Sequence, residues 1–228
     1  SGLYAAVSVL AGLHAREKNE TSGGMAFDLA LADCTLASLV NVAQSALVTG
    51  KRPMRYGNAH PNIVPYEAFA TADGHLVLAV GNDRQWQRFC KAAERDDLAA
   101  DARFSTNPLR VANRSELTTI LCEEVARRAT AEWGALLSAA DVPHAPVLSL
   151  DQALSDPQVA ARSMVVDAED DAGRTYKLLG SPVHWNDEPK RVVASPPALG
   201  AHTDEVLAEW LSLSPNEINT LRRVGAIA

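Results

Sequence analysis

The chain has 228 residues, 47% of them hydrophobic and 21% charged, with a formal net charge of −7 and a pI of 5.4. That length suits one large domain or two small ones, and the apolar fraction is ample for a packed core. The acidic balance argues against nucleic acid as the main partner, because phosphate-backbone binding needs a basic face, and no run reads as a membrane span.

Cys34, Cys90 and Cys122 are far apart, without CxxC spacing. They read as reduced thiols of a cytoplasmic protein, on apolar helical faces, not as a disulfide frame or a zinc site. The opening "SGLYAAVSVLAGLHARE" has neither the basic start nor the cleavage site of a signal peptide. The chain is expected to begin inside a fold.

In chain order, Leu3, Val7, Leu10 and Leu13 recur at helical spacing, which predicts a helix over 3–17. "NETSGG" (19–24) is a turn-rich stop. "MAFDLALADCTLASLVNVAQSALVTG" reads as a short strand passing into a helix that ends at Gly50, with Asp33 as its expected N-cap. Helix, strand, helix is the pattern of an α/β layer. "KRPMRYGNAHPN" (51–62) breaks it, basic first and then rich in turn formers.

"YEAFATADGHLVLAVGN" predicts a hairpin turning at Ala72-Asp73-Gly74. Helices follow in "DRQWQRFCKAAE", "NRSELTTILCEEVARRAT" and "TAEWGALLSAA", the last opened by Thr130. "DVPHAPVLSLDQALSDPQVAARSMVV" supplies a Pro-punctuated link, a short helix and an extended run; "DDAGRTYKLLGSPVHW" suggests a second strand pair. Residues 187–200 form a Pro-rich linker. Two short helices close the chain, with Thr203 or Ser214 as caps and Gly225 as the stop.

Spacing alone assembles no catalytic apparatus. The six histidines show no HxH, HxxxH or HExxH pattern, and GxSxG, P-loop and GxGxxG motifs are missing. Asp28 and Asp33 suit strand-end and cap roles, Arg127-Arg128 a solvated helix face, and Trp86, Trp133, Trp185 and Trp210 core or interface anchors. Residues 57–62, Gly57-Asn58-Ala59-His60-Pro61-Asn62, stand apart: glycine permits close backbone approach, asparagines offer amides, and prolines stiffen the segment. They read either as a preorganised loop offering N–H and amide donors to an oxyanion or as a rigid interdomain link.

Seven blocks carry a resemblance along the whole chain: "SGLYAAVSVLAGLHARE", "FDLALADCTLASL", "GNAHPNIVPYEAFATADGHLVLAVGND", "DARFSTNPLRVANRSEL", "TAEWGALLSAADVPHAPV", "DPQVAARSMVV" and "PPALGAHTDEVL". In that order they resemble the class III CoA-transferase family of the CaiB/BaiF type, which includes formyl-CoA and carnitine CoA-transferases and, as relatives, α-methylacyl-CoA racemases. The resemblance implies an α/β fold. Residues 1–50 would be part of a truncated large α/β domain, 51–67 a linker and lid, and 68–186 a small α+β domain. Residues 187–228 would be a linker and helices returning to the large domain, within an interlocked ring homodimer.

It also implies transfer of CoA between carboxylic acids through an aspartyl anhydride and an enzyme–CoA thioester. The nucleophilic aspartate is expected just upstream of Ser1, so no residue of this chain is assigned as catalytic and the chain alone should be inactive. Its partners would be an acyl-CoA donor and a carboxylate acceptor, with CoA thioester as substrate and no permanently bound cofactor. Gly57, Asn58, Ala59, His60, Pro61 and Asn62 fall at the family's lid position, where formyl-CoA transferases carry glycines, and Gly81 and Asn82 join them as candidates for substrate or CoA contact. Racemase relatives place an acid near Gly81-Asn82-Asp83, although Asp83 also suits the cap of a helix starting at Arg84. A racemase or epimerase, or an assembly subunit completing its site with another chain, is the alternative.

Overall fold

The computed structural model describes residues 1–18, 24–170, 172–186 and 195–227. The chain divides into two compact units, Ser1–Val147 and Leu148–Ala228. Most of the turn expected at 19–24 and of the linker at 187–200 lies outside the described residues.

The first unit opens with helix α1 (Gly2–Glu17), where the periodicity predicts it. Its apolar ridge is nevertheless left open: among the described residues α1 has none buried, and Leu3, Val7 and Leu10 are exposed. The expected strand at 25–30 does not form among the described residues, and the segment runs without a partner to complete a ladder. It touches α1 at Gly12, where a Cβ would stand 2.9 Å from Phe27 Cε2.

The single helix expected up to Gly50 is two, α2 (Leu31–Ser38) and α3 (Val40–Thr49), bent by 82° where Val40 takes a φ of 37°. Asp33 is not the N-cap. Ala30 holds that position, and Asp33 sits inside the first turn, where its charge faces the positive end of the helix dipole. Gly50 ends α3 at φ 66°, donating its N–H to the Ala46 carbonyl.

Strands β1 (Tyr66–Ala70) and β2 (His75–Ala79) form the expected antiparallel hairpin, Tyr66 opposite Ala79 and Ala70 opposite His75. Its loop spans Thr71–Gly74, closed by a hydrogen bond from the Thr71 N–H to the Gly74 carbonyl. Gly74 serves proximity, since a Cβ there would lie 3.2 Å from Thr130 Oγ1.

Helices α4 (Asp83–Ala92), α5 (Asp96–Ala100), α6 (Asn107–Ala112), α7 (Arg114–Val125) and α8 (Thr130–Ala139) follow. A third strand, β3 (His144–Pro146), then pairs antiparallel with β2, so the Pro-punctuated link is in part an edge strand.

Alternation on the sheet decides the core. Phe69, Leu76 and Leu78 face inward and pack with Trp86, Phe89, Leu117, Leu121 and Trp133, all essentially buried. Phe89 stacks between Trp86 and Trp133, at centroid distances of 5.7 and 6.2 Å. Trp133 meets its polar requirement by donating Nε1–H to the Val125 carbonyl at 2.9 Å.

Several expectations change here. Cys34 and Cys90 are buried, but Cys122 is exposed on the solvent side of α7. Trp86 and Trp133 are core residues; Trp185 and Trp210 are exposed. Arg127 and Arg128 are not a simply solvated face. Both reach the buried Glu124, as does Arg95, because a carboxylate withdrawn from water needs charged donors around it.

In the second unit, α9 (Leu150–Leu154) and α10 (Pro157–Ala161) precede a hairpin of β4 (Val165–Glu169) and β5 (Thr175–Leu179). The strand pair was expected wholly inside 170–185; its first strand is instead the extended run upstream. Helices α11 (Thr203–Leu211) and α12 (Pro215–Arg223) close the chain. Ser214 caps α12 with Glu217 in a reciprocal capping box, whereas Thr203 lies inside α11 and caps nothing. Gly225, at φ 73°, ends the last helix as expected. Helix mixed with small sheets agrees with the expected class. Among the described residues every strand pairing is antiparallel, and no single helix is long and apolar enough to cross a membrane.

Candidate functional site

Residues 57–62 lie within the first unit and lead into β1. Gly57 has a φ of 62°, with open space where a Cβ would be, so its glycine is required by backbone conformation. The Ala59 N–H donates to the Tyr56 carbonyl, and the His60 N–H to the Tyr66 carbonyl at 2.9 Å. Asn58 Oδ1 accepts from the Ala68 N–H at 2.8 Å, and His60 Nδ1 accepts from the Asn62 N–H at 3.1 Å. The His60 ring stands edge-on to Tyr66, with centroids 5.4 Å apart.

A second set of bonds comes from α6 and the start of α7. Arg114 Nη2 donates to the His60 and Pro61 carbonyls, each at 2.8 Å, and its guanidinium lies 5.6 Å from the Tyr56 ring centroid. Asn107 Nδ2 donates to the Asn62 carbonyl at 2.8 Å while Asn107 Oδ1 accepts from the Val64 N–H at 3.1 Å. Arg110 Nε donates to the Val64 carbonyl at 2.7 Å. The segment is thus fastened at its carbonyls by one neighbouring stretch of helix.

That stretch also holds the second candidate region. Arg110 is fully buried and its Nη2 donates to Asp83 Oδ1 at 2.9 Å, while the Asn107 N–H donates to the same oxygen at 2.8 Å. Burial pulls the Arg110 guanidinium down from its ordinary value and Asp83 opposes this. The residues at 57–64 and 81–83 are therefore joined through α6.

Gly81 and Asn82 are occupied locally. Asn82 Oδ1 caps α4 by accepting the Gln85 N–H at 2.9 Å, and Gln85 Oε1 accepts the Gly81 N–H at 2.7 Å. The cap expected of Asp83 is supplied by Asn82, and the helix begins at Asp83, one residue early. Asp83 turns to Arg110 instead.

Beside the loop is a cleft of about 600 Å³ whose lining includes Arg55, Tyr56, Pro61, Glu67, Arg114 and Thr118, within the size range of small-molecule sites. Glu67 accepts from Thr118 Oγ1 at 3.3 Å. Among the described residues no group of three or more His, Cys, Asp or Glu side chains is arranged to hold a metal ion.

Asn107, Arg110 and Arg114 had no assigned role in the sequence reading. They lie in "STNPLRVANR" at helical intervals, and that periodic spacing of donors was the available signal.

Known proteins resemble this chain in sequence and in fold. The family model described as CoA-transferase family III matches residues 1–203. The succinate–glutarate CoA-transferase of Agrobacterium fabrum is 39% identical over 215 residues, 92% of this chain and 52% of that protein. The human succinyl-CoA:glutarate CoA-transferase is 33% identical over 227 residues, 100% of this chain and 51% of its own length. Among solved structures, a CAIB/BAIF family protein from Brucella suis superposes with a TM-score of 0.71 at 35% identity, covering 91% of this chain and 53% of that one. The chain spans about half the length of the curated relatives it matches. Members of the family act on CoA thioesters, and this chain belongs to it as a class III CoA-transferase sequence.

Proposed function

We propose that these 228 residues are the C-terminal portion of an acyl-CoA:carboxylate CoA-transferase. The observation that carries this reading is the family match over residues 1–203 together with the 39% identity to a succinate–glutarate enzyme across 92% of the chain. A dicarboxylic acid such as succinate or glutarate is the first substrate to test.

In this reading the complete protein works by covalent exchange. An aspartate outside residues 1–228 attacks the thioester carbonyl and expels CoA thiolate, forming a mixed anhydride. The thiolate attacks the aspartyl carbonyl, releasing the donor carboxylate and leaving an enzyme–CoA thioester. The acceptor carboxylate then displaces the thiolate to form a second anhydride. Attack of that thiolate on the acceptor's acyl carbon gives the new acyl-CoA and regenerates the aspartate. Splitting one hard exchange into such steps is the gain from a covalent nucleophile.

Residues 57–62, together with Gly81 and Asn82, form the rim of that site, and the exclusion of water from the anhydride falls partly to them. The exposed Leu3, Val7 and Leu10 ridge of α1 supports a further layer of the same enzyme packing there. The division into large-domain, lid, small-domain and returning segments at 51–67 and 187–200, and assembly as an interlocked homodimer, belong to the same proposal. Asp83, the acid a racemase would enlist, is already committed to Arg110 and Asn107, which favours transfer over racemisation.

The test is CoA exchange between succinyl-CoA and glutarate, followed by product analysis, with the complete protein and with residues 1–228 alone. Exchange by the complete protein only is expected. Exchange by the 228 residues alone refutes the placement of the nucleophile.

A further inference from the structure

Glu67 lies on the inward face of β1, directly opposite the buried Leu78 and two residues from the buried Phe69. The residue is half-buried, and a charge drawn from water without a counter-charge is costly. Yet its one side-chain bond among the described residues is from the Thr118 hydroxyl, at 3.3 Å. Its charge reaches as far as Cys122, one turn beyond Thr118 along α7.

The cleft beside the loop has Glu67 in its lining together with two guanidinium groups, those of Arg55 and Arg114. Among the described residues, none of these three charges forms an ion pair. Arg114 spends Nη2 on the His60 and Pro61 carbonyls, and its Nη1 has no acceptor. Arg55 is exposed and makes no hydrogen bond among the described residues. Opposite charges thus share one cleft without meeting across it, and the two that are partly withdrawn from water, Glu67 and Arg114, lack a counter-charge.

We propose that this cleft binds a small zwitterion, an amino acid whose ammonium group meets Glu67 and whose carboxylate meets Arg55 in the field of Arg114. The ammonium supplies the cation that Glu67 lacks. The Thr118 oxygen, donating its proton to Glu67, keeps lone pairs to accept from the same ammonium. The carboxylate is the planar partner that a guanidinium fork takes. Met54, Pro61 and Val111 give the lining an apolar part for the connecting carbons, and about 600 Å³ is ample for such a molecule. Charge also sets what the cleft refuses: a dicarboxylate would bring a second anion against Glu67. The inference stands on this cleft and not on the transferase reading.

The test is calorimetric titration of the complete protein with glycine, β-alanine, 4-aminobutyrate and 5-aminovalerate, which space the two charges by one to four carbons. Two variants tie any heat to the cleft. Glu67→Gln keeps an acceptor for the Thr118 hydroxyl but removes the anion, and Arg55→Gln removes a cation that holds nothing in the fold. At least one amino acid of the series is expected to bind, about 10- to 100-fold more weakly in each variant, with an unchanged melting temperature. Butyrate and glutarate, tested alongside, should bind Glu67→Gln no more weakly than wild type. No binding by any member of the series, binding that either variant leaves at the wild-type level, or equal weakening of butyrate by Glu67→Gln overturns the proposal. Exchange of CoA between succinyl-CoA and glutarate is measured separately, so either reading can fail while the other stands.

Discussion

Arg110 and Asp83 meet at 2.9 Å with unequal surroundings, the guanidinium fully buried and the carboxylate about half exposed. The arginine stays charged and satisfied because Nε and Nη1 also donate to the Val64 and Phe104 carbonyls, and its plane lies 5.3 Å from the Trp86 ring centroid. Asp83 is replaceable in part by water, whereas Arg110 is not. Asp83→Ala should therefore cost about 1–3 kcal/mol and Arg110→Met about 3–5 kcal/mol, measured by urea unfolding. Equal losses would show that water does not reach the Asp83 side.

Asp73 secures the β1–β2 loop to α8. Its Oδ1 accepts the Thr130 N–H at 2.8 Å and the Thr130 hydroxyl at 2.9 Å, and these bonds, the backbone one first, hold its carboxyl below the usual range. A depressed folded-state pKa gives a contribution present in full above the unfolded value, near 4, and lost as pH falls through the folded value. The melting-temperature gap between wild type and Asp73→Asn should be constant from pH 8 to pH 5 and close below about pH 4. A gap that persists at pH 2 would remove charge from the explanation.

Cys122 and Cys90 should separate by reactivity. Burial pushes Cys90 up to about 12, and it is fully shielded in the core. Cys122 is exposed, though partial desolvation and then the Glu67 charge raise it above its ordinary value. Thiolate is the reactive form. Native iodoacetamide labelling at pH 8 should therefore modify Cys122 first, and Cys90 only after denaturation, as read by peptide mass spectrometry.

Gly57 and Arg114 test the loop from two directions. Gly57→Ala forces a Cβ into left-handed backbone and should cost about 1 kcal/mol, with Gly57→Asn milder, by thermal melting. Arg114→Met frees the His60 and Pro61 carbonyls. It should raise backbone hydrogen exchange across residues 57–62 and lower transfer in the complete enzyme, while exchange in α8 stays unchanged.

Helices α1, α4, α7 and α8 and the first hairpin were legible because each follows from short-range pattern, such as the spacing of Trp86, Phe89 and Cys90 or the turn formers between Ala70 and His75. Helices α5 and α6 were not read, and one short helix stood for α9 and α10. Strand β3 was hidden by Pro143 and Pro146, whose edge position tolerates the missing donors. The break at Val40 lies between Ser38 and Asn41 in a mostly apolar stretch with no glycine or proline to mark it. At the candidate site, the peculiarity of Gly57–Asn62 was visible but its fastening was not. Arg114 read as an ordinary helix residue and Arg110 was given no element, and their partners are set by tertiary folding alone.

The bonds that fasten residues 57–64 to α6 and the start of α7 span 43 to 54 positions of sequence, from Asn107 to Val64 at one extreme and from Arg114 to His60 at the other. Closing such long loops costs entropy before any bond rewards it. The hairpin and the individual helices can form early, from neighbours; the loop acquires its conformation only once the middle of the unit has assembled. Its side chains become aligned at the end of folding, so slow exchange of the His60, Asn62 and Ala68 amides would report a finished unit and be blind to partly folded ones.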